Sequence, residues 1–529
     1  MTYETLKPGV SLQSNAVYTA ADRHIHVREQ DTVTLDDEIY LSVSEYNGGR
    51  LKTAFYLNGL ENVTLDFSGA RLTLHGLIQP FLLDRCKNVV IKNVAVEYER
   101  SLCTELEIIE NSGGELRLRP LPKFPCRVEN GYLIPYGDDW ENRALNVGSM
   151  WIQAFDTVTC EGAGMLVGVI GEEIRLHETP PCEVNHLKVR EENGDIILTG
   201  NIPASWDSSM TVVISHELRD ISSAFICRSE NISFESYRII NGAGMGILGM
   251  YTRNLTLDRL ILTRDRLSHG IATNCADAVH LISSSGRVVI RDSVIEGMID
   301  DALNIHSNYL EVEEVCGDTL RLLRHRESHF VNAYFQLLGE GDCICVHAGH
   351  TLAERCRLTA RSVRVLDSYR LEVVADGALS AICAGDLVEN LSTQPEVTVE
   401  NCVFGKANTH LRLQTRGRTL LFGCVSSLPV LLTGDTNYWY ESSPCRDLTV
   451  TGCTFRGPRG VIRSIPEFVP CKDAPWYHEN LRIIGNSFTA ENALTAHYTN
   501  DIVFLENTHE GDGAPLRISL HDCGRVVRC

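Results

Sequence analysis

Three aspartates stand in two short segments that share one pattern. Residues 276–281 read Ala-Asp-Ala-Val-His-Leu and residues 300–305 read Asp-Asp-Ala-Leu-Asn-Ile, so Asp277 and Asp301 occupy equivalent places 301 − 277 = 24 residues apart. Carboxylates that lie close together repel each other and their pKa values move apart, which is the condition that acid–base chemistry requires. Asp277, Asp300 and Asp301 are therefore the predicted catalytic residues.

Hydrolysis of a glycosidic bond is the reaction that these carboxylates suit. Inversion needs a carboxylic acid for the leaving oxygen and a carboxylate for the attacking water, usually roughly 6.5–9.5 Å apart. We expect Asp277 and Asp301 to hold the water together and Asp300 to protonate the leaving group. Two alternatives stay open, namely a solvated acidic turn and a cation site built from the three carboxylates.

The aspartates lie within a repeat of short alternating strands. Each copy opens with a polar residue and continues with apolar residues at alternate positions, as in Asn62-Val-Thr-Leu, Asn254-Leu-Thr-Leu, Glu396-Val-Thr-Val and Asp447-Leu-Thr-Val. The alternation predicts half-buried strands. The repeats that open at Asn231 and Asn254 are 254 − 231 = 23 residues apart, and those that open at Glu396 and Arg418 are 418 − 396 = 22 apart, which predicts a stack of coils. Leucine-rich repeats share this period, but their helical segment and leucine-asparagine signature are missing. We therefore predict an all-β fold, a right-handed parallel β-helix.

The predicted coil length places the aspartates relative to one another. Residues one coil apart in a parallel stack are separated by about 4.8 Å, so Asp277 and Asp301 should lie one above the other, with Asp300 beside them. Asn304 and His306 alternate with apolar residues on the strand that follows. They are expected to face the same groove as the aspartates if those apolar residues face the core.

Two stretches, residues 101–216 and 313–392, lack the coil pattern. Strictly alternating segments within them, such as Glu115-Leu-Arg-Leu-Arg, predict short antiparallel strands. We interpret both stretches as inserted antiparallel β-barrel-like modules. The predicted division is an N-terminal cap with the first coils at residues 1–100, the first module at 101–216 and the catalytic coils at 217–312. The second module follows at 313–392 and the C-terminal coils at 393–529.

A polar and aromatic run at residues 435–441 interrupts the coil period and is predicted to form a loop over the groove. A sugar site combines an aromatic face with polar groups for hydroxyls, so Trp439 is expected to stack on a sugar ring and Glu441 to bind hydroxyls. Packing within the loop is the alternative for Trp439. Arg412 interrupts an apolar strand and either contacts substrate or pairs with an acid. The predicted substrate-binding residues are Asn304, His306, Asp435, Asn437, Trp439 and Glu441.

Several segments resemble glycoside hydrolase family 110, the inverting exo-α-1,3-galactosidases. The matching segments are Gly242-Ala-Gly-Met-Gly-Ile-Leu, Ala276-Asp-Ala-Val-His and Asp300-Asp-Ala-Leu-Asn-Ile-His, with further similarity at 93–100 and 434–441. The resemblance runs through the coil segments and is weakest in the two insertions. It implies a β-helix with two inserted barrels, essential aspartates at Asp277, Asp300 and Asp301, and a terminal α-1,3-linked galactose as substrate. The Gly-His-Gly and Arg-Ile-Lys motifs of polygalacturonases are missing, which disfavours a uronic acid.

The composition disfavours several partners. The 48 basic and 69 acidic residues give a formal net charge of 48 − 69 = −21. The sequence also has no cluster of Lys and Arg that suits a phosphate backbone, so no nucleic-acid partner is expected. No run approaches the ~18 apolar residues of a membrane span and no signal peptide is visible, so a cytoplasmic location is expected, or a secreted one if a leader is missing. The 19 cysteines include no Cys-x-x-Cys pair, and we expect reduced thiols, no metal and no cofactor.

Three functions are compatible with these patterns. The leading one is an inverting exo-glycosidase acting on a galactose-terminated oligosaccharide or glycoconjugate. A calcium-dependent polysaccharide lyase is disfavoured because no basic residue is suitably placed in the sequence. A non-catalytic glycan-binding β-helix is disfavoured because binding alone gains little from crowded carboxylates. The penultimate sugar is open, and so is a homodimer, since insertions on a β-helix often supply contacts between subunits.

Overall fold

The computed structural model describes residues 2–35, 51–138, 140–141, 150–170, 184–215, 221–264, 270–324, 337–367, 369–436, 438–510 and 515–528. Regular structure in these ranges consists of strands and a single 3₁₀ turn, Glu29–Asp31. Among the same residues, no helix has the length and apolar character needed to cross a membrane.

Two long sheets wind the chain into a parallel β-helix. The first has 21 strands, which pair in parallel from coil to coil, as Ile232 does with Val89 on one side and Leu255 on the other. Its strands are Thr2–Thr5, Ala16–Thr19, His24–Val27, Glu61–Leu74, Lys87–Tyr98, Glu230–Asn241, Arg253–Asp258, Ile261–Leu262, Ser285–Arg291, Val294–Glu296, Glu396–Glu400, Val403–Gly405, Thr419–Phe422, Val425–Ser426, Leu448–Thr451, Thr454–Phe455, His478–Ile484, Ser487–Phe488, Thr499–Leu505, Thr508–His509 and Val526–Arg528.

The second sheet has 13 strands and carries the predicted catalytic groove on its outer face. Eleven of its strands stack in parallel, and two further strands, Val33–Leu35 and Glu441–Ser442, add in antiparallel fashion. The parallel strands are Leu51–Asn58, Gln79–Asp84, Ser222–Cys227, Met245–Met250, Val279–Ile282, Leu303–Asn308, Leu411–Leu413, Val430–Leu432, Ile462–Ser464, Asn492–His497 and Arg517–His521.

The alternating apolar residues of the repeat form one continuous core. Val63, Val89, Ile232, Leu255 and Val288 stand in register on successive coils, and each is at most 2% exposed. Full burial of such a side chain contributes about 1.5–3 kcal/mol. A single coil buries only a few of them, so the stack is stable only because neighbouring coils share the core.

The asparagines that open the early repeats form a ladder along one edge of the stack. Asn15, Asn62, Asn88, Asn231 and Asn254 all have φ between 55° and 59°. Asparagine adopts this left-handed conformation more readily than most residues. Each amide Nδ2 from Asn62 onward donates to Oδ1 of the preceding asparagine at 2.9 Å. The ladder therefore satisfies polar groups at each turn and fixes the register of the coils.

The cysteines at equivalent positions of the later repeats also stack. Cys402, Cys424 and Cys453 are buried, and each thiol donates to a backbone carbonyl of the preceding coil at 3.6 to 3.7 Å. Asn486 Oδ1 accepts from the Cys453 N–H at 2.9 Å, and Asn486 Nδ2 donates to Asn507 Oδ1 at 3.0 Å. The thiol ladder thus continues into an asparagine ladder.

Two closed barrels interrupt the β-helix, which confirms the predicted fold class. The first barrel has seven strands and is antiparallel except where residues 167–170 pair in parallel with 184–187. Its strands are Cys103–Asn111, Glu115–Pro120, Met150–Asp156, Gly162–Ile170, Val184–Glu192, Asp195–Thr199 and Met210–Ser215, and the hairpin Cys126–Glu129 with Tyr132–Pro135 is separate. The second barrel has six strands, Leu310–Cys316, Thr319–Leu323, Cys343–His347, Glu354–Val365, Arg370–Asp376 and Leu387–Asn390. The five-part division at the predicted residue numbers stays a prediction.

The second barrel shares an apolar core with the outer face of the β-helix. Its buried Leu320, Ile344 and Val373 belong to one cluster with Leu248 and Ile282 of the coils. The first barrel has an apolar core of its own, which includes Leu106 and Leu198, and it also contributes Phe155 and Val213 to the core of the β-helix.

Candidate active site

Asp277 and Asp301 occupy matching places on adjacent coils. Val279 pairs with Leu303, and the Ala278 N–H donates to Asp301 O at 2.9 Å, so the structure adopts the 24-residue register. Asp277, Asp300 and Asp301 each present a carboxylate oxygen within 4.8 Å of the others. Asp277 is 1% exposed and Asp301 is 2% exposed, whereas Asp300 is half-buried. The structure therefore brings the three predicted catalytic residues together.

A glycine-rich segment lets the preceding coil lie against the backbone of Asp277. The Gly246 N–H donates to Asp277 O at 2.9 Å, and the Gly244 N–H donates to Ile221 O at 2.7 Å. A Cβ at Gly246 would stand only 2.3 Å from Ala278 O, so a side chain there would push the two coils apart. The glycine-rich motif noted in the sequence thus positions the loop that carries Asp277.

Asp301 is held by a guanidinium and a histidine from the next coil. Arg412 Nε donates to Asp301 Oδ2 at 3.0 Å, and the His410 backbone N–H donates to Asp301 Oδ1 at 3.0 Å. The His410 ring nitrogen Nδ1 lies 3.2 Å from the same Oδ1. Burial alone would raise the pKa of Asp301, but Arg412 and His410 outweigh it and lower this pKa to about 2. Asp301 is therefore ionised across the neutral pH range.

Glu441 reaches the aspartates from the 435–441 loop. The strand Glu441–Ser442 pairs with the end of Leu303–Asn308 and so docks the loop beside the catalytic strand. The Glu441 carboxylate accepts from Arg412 Nη1 at 3.0 Å and from Asn304 Nδ2 at 3.3 Å. Burial opposes ionisation, yet His306 and Arg412 hold the pKa of Glu441 below its usual value. Arg412 thereby links Asp301 to Glu441.

Arg412 corrects one sequence-based argument, because a basic residue does lie among the carboxylates. Burial opposes its charge, but Glu441 and Asp301 raise the pKa of Arg412. A guanidinium in this state cannot accept a proton, as a lyase base must. Its positive charge also repels a calcium ion placed among the aspartates. The geometry therefore disfavours the calcium-dependent lyase for a different reason from the one expected.

Two histidines line the groove beside Asp277. His280 lies in register with Asn304, and its Nδ1 is 3.0 Å from Asp277 Oδ2. His280 Nε2 is 2.8 Å from His306 Nε2, and His306 Nδ1 is 2.7 Å from Ser307 O. Burial lowers the pKa of His306 to about 4. His306 and Asn304 thus lie on the outer face with the aspartates, as their alternation predicted, whereas the part of His280 was not predicted.

Among the residues that the structure describes, two clusters each bring three potential metal ligands within 4.8 Å of one another. One is the aspartate cluster, in which Arg412 already pairs with Asp301 at 3.0 Å. The other contains His280, His306 and Glu441. There the facing Nε2 atoms of the two rings are 2.8 Å apart, which is hydrogen-bond distance. Ion pairing and hydrogen bonding account for both clusters.

The remaining predicted ligands lie in the 435–441 loop. Asp435 is 1% exposed, and its carboxylate accepts the backbone N–H groups of Tyr438, Trp439 and Tyr440. Asp435 therefore holds its own loop in shape, whereas the sequence pattern predicted that it contacts the substrate. Trp439 is half-buried and packs edge-on against Tyr438 with ring centroids 4.6 Å apart. Asn437 lies outside the described residues, and the substrate-binding roles stay predictions.

The first barrel supports the backbone ahead of the catalytic aspartates. Glu105 accepts from the Ile271 N–H at 2.6 Å and from the Ala272 N–H at 2.8 Å, and Gln153 Nε2 donates to Ile299 O at 2.5 Å. Burial raises the pKa of Glu105 to about 7, although these N–H groups oppose the rise. Sequence reasoning missed these residues because their partners are 166 and 146 positions away along the chain.

Comparison with known proteins adds independent evidence. The chain is 26% identical over 472 residues to "Alpha-1,3-galactosidase A" of Bacteroides fragilis, which covers 85% of this chain and 74% of that protein. It is 24% identical over 495 residues to "Alpha-1,3-galactosidase B" of Bacteroides thetaiotaomicron, with coverages of 89% and 77%. A third relative, "Alpha-1,3-galactosidase A" of Shewanella woodyi, is 23% identical over 489 residues and covers 90% of this chain and 78% of that protein.

Two other comparisons contribute little. No protein-family model matches the chain. Among solved structures, the tailspike protein gp49 from Pseudomonas phage LKA1 aligns with 89% of this chain and 69% of its own at 8% identity, but the TM-score of 0.17 supports no conclusion. The similarity to the three galactosidases over most of the chain nevertheless confirms the resemblance to glycoside hydrolase family 110 and, with it, the predicted class of glycoside hydrolase.

Proposed function

We propose that the protein is an exo-glycosidase that releases terminal α-1,3-linked galactose with inversion of configuration. The observation that carries the proposal is the meeting of three carboxylates within 4.8 Å on adjacent coils. Relatives named α-1,3-galactosidases support the choice of bond. The substrate is then a galactose-terminated oligosaccharide or glycoconjugate.

The environments of the three aspartates support separate tasks. Asp300 is the most exposed of them, and it is the acid that protonates the leaving oxygen. Asp277 and Asp301 lie deeper and hold the attacking water. Asp301 suits that task because Arg412 and His410 keep it ionised.

The spacing of the carboxylates makes the stereochemistry a demanding test. An oxygen-to-oxygen approach within 4.8 Å is nearer to the roughly 5–5.5 Å between carboxyl groups of retaining enzymes than to the roughly 6.5–9.5 Å of inverting ones. The same bound applies to Asp300, the proposed acid, so the spacing of the carboxylates does not itself decide between inversion and retention. Proton NMR of the first product decides the point: inversion gives the β-anomer, and an initial α-anomer contradicts the proposal.

A substrate panel and one substitution test the rest. The wild-type enzyme is incubated with p-nitrophenyl α-galactoside and with α-1,3-, α-1,4- and α-1,6-galactosyl oligosaccharides, and we expect selective cleavage of the α-1,3 bond. Asp301→Asn should lower kcat by about 10²–10⁴-fold with an unchanged circular dichroism spectrum. Asp376→Asn, at an exposed ion pair in the second barrel, is the control. Full activity of Asp301→Asn, or binding of sugar without turnover by the wild type, would contradict the proposed function.

A further inference from the structure

We propose that Asp277, His280 and His306 form a hydrogen-bonded proton relay, in which His280 is a positioning residue that prepares Asp277 to accept the proton of the attacking water. This inference rests on the proposed glycosidase function and deepens it. It gives Asp277 and Asp301 different tasks, although the two carboxylates occupy equivalent places on adjacent coils.

The far end of the relay fixes the direction of its hydrogen bonds. His306 Nδ1 lies 2.7 Å from Ser307 O, and a carbonyl oxygen only accepts, so Nδ1 carries a proton. Burial keeps His306 neutral by lowering its pKa to about 4. Its Nε2 is then an acceptor, and His280 Nε2, at 2.8 Å, must be the donor.

The hydrogen bond at the Asp277 end of the relay contains one more proton. His280 Nδ1 is 3.0 Å from Asp277 Oδ2. Without a proton between them, a ring lone pair would face a carboxylate oxygen inside the protein, which is costly. Three hydrogen bonds thus hold three protons. Whether the proton of this bond rests on the imidazole or on the carboxyl, the relay as a whole is neutral.

Glu441 is a charged neighbour that favours the gain of a proton by the relay, although burial and Arg412 oppose it at His306. Glu441 Oε1 is 3.6 Å from His306 Nε2, and Glu441 is itself paired with Arg412. On the preceding coil, the residue in register with His280 is the apolar Leu248. Glu441 is thus an anion beside His306 that can stabilise positive charge on the two rings.

Asp301 is the poorer proton acceptor of the two water-holding carboxylates. Both of its oxygens are engaged by Arg412 and His410, which hold its pKa at about 2. We therefore assign to Asp301 the orientation of the water and to Asp277 the acceptance of its proton.

The proposed step balances in atoms and charge. The water oxygen bonds to the anomeric carbon while its O–H bond breaks and the proton passes to Asp277. The glycosidic C–O bond breaks at the same carbon, and the leaving oxygen takes the proton of Asp300. The charge of the relay rises from zero to +1 as Asp300 becomes a carboxylate, so the net charge of the site is unchanged.

A comparison of two leaving groups tests the relay in the active enzyme. His280→Gln should lower kcat by about 10–100-fold with little change in KM, by the same factor for p-nitrophenyl α-galactoside and for an α-1,3-galactosyl disaccharide, because the defect lies on the water side. Asp300→Asn should instead spare the aryl substrate, whose leaving group needs little protonation. His478→Gln, at another buried histidine, is the control that should leave both rates unchanged. Wild-type kcat in His280→Gln, or selective sparing of the aryl substrate, overturns the proposal.

Nitrogen-15 NMR of histidine-labelled wild-type protein tests the relay without any turnover. Difference spectra against His280→Gln and His306→Gln assign the two rings. We expect His306 as the neutral Nδ1–H form and a proton on His280 Nε2. An inactive wild-type enzyme with this spectrum contradicts the proposed function alone. An active enzyme whose His280 Nε2 carries no proton contradicts the relay.

Discussion

The two inserted barrels differ in the contacts that they make with the β-helix near the active site, although both share apolar core with the coils. The first reaches the loops of the catalytic aspartates with the polar side chains of Glu105 and Gln153. The second merges its apolar core with the coils and adds a buried ion pair between Glu389 and Arg416. Hydrogen bonds are directional and apolar contact is not. We conclude that the first barrel orients the reacting groups, whereas the second mainly stabilises the fold.

The largest expected effect is on the stability contributed by the second barrel. Glu389 is fully buried and accepts from Arg416 Nε at 3.0 Å and from Arg416 Nη2 at 2.6 Å, while His347 Nε2 lies 3.0 Å away. Glu389→Gln leaves Arg416 without its counter-ion, so the free energy of unfolding should fall by about 3–5 kcal/mol. Urea denaturation measures the loss. Glu354→Gln, at an exposed ion pair of the same barrel, should cost less than about 1 kcal/mol.

The same variant also tests the comparison through activity. At a temperature where Glu389→Gln remains folded, its kcat should stay close to that of the wild type. A large loss of kcat in the folded variant would show that the second barrel also orients the site.

The next largest effect is a pH dependence that belongs to the first barrel. The pKa of Glu105 is raised from 4.5 to about 7 in the folded protein. An acidic group whose pKa is higher in the folded than in the unfolded protein contributes its full stabilisation of the fold below the unfolded-state pKa. For Glu105 this contribution is lost as the pH rises through the folded-state pKa of about 7. The loss is about 3 kcal/mol in all.

Glu105→Gln should remove this dependence. The difference in unfolding free energy between wild type and variant, measured by urea denaturation from pH 4.5 to 8, isolates the contribution of Glu105 from those of other groups. Glu107→Gln, at an exposed position on the same strand, is the matched control. A difference that does not change with pH would mean that the Glu105 carboxyl titrates normally.

Glu105→Gln should also lower catalysis. The amide keeps one acceptor oxygen but places an NH2 group where Oε2 accepts from the Ile271 N–H at 2.8 Å, so the loop ahead of Asp277 shifts, and kcat should fall by about 10–100-fold. Gly270→Ala should have a similar effect, because a Cβ there would lie 2.5 Å from Glu105 Oε2. Steady-state kinetics on the best substrate of the panel measures both. If both variants had the kcat of the wild type, the proposed orienting role of the first barrel would be contradicted.

The smallest expected effect concerns Gln153. It donates to Ile299 O at 2.5 Å and accepts from Asn408 Nδ2 at 2.9 Å. Gln153→Ala breaks one support of the loop ahead of Asp300, while the Thr409 hydroxyl still donates to Asp300 O at 2.6 Å. We expect kcat to fall by about 3–10-fold with unchanged KM. A loss larger than that of Glu105→Gln would reverse the order of the two supports.

The catalytic coils could be predicted because their signal is local and periodic. The 24-residue offset between Asp277 and Asp301 fixed their stacking, and alternation with Leu303 and Ile305 fixed the outward direction of Asn304. His280 could have been found by the same register, since it pairs with Asn304.

Other features carry no such signal. Nothing local distinguishes an aspartate that binds substrate from one, like Asp435, that binds the N–H groups of its own loop. Glu105 contacts a partner 166 residues away, and no repeat connects the two. The asparagines were visible as the openings of repeats, but their ladder follows from left-handed turns that the period does not reveal.

The asparagine ladder has a consequence for synthesis on the ribosome. Asn231 donates to Asn88 across 143 residues of intervening chain, and that interval contains the first barrel. At about 5–20 residues per second, translation of the interval takes roughly 7–30 s. During this time the strand Lys87–Tyr98 has no coil above it, and its free edge is open to pairing with other chains. The first barrel thus has time to close before the next coil arrives, and a barrel that folds within this time adds nothing to the exposure of the growing end.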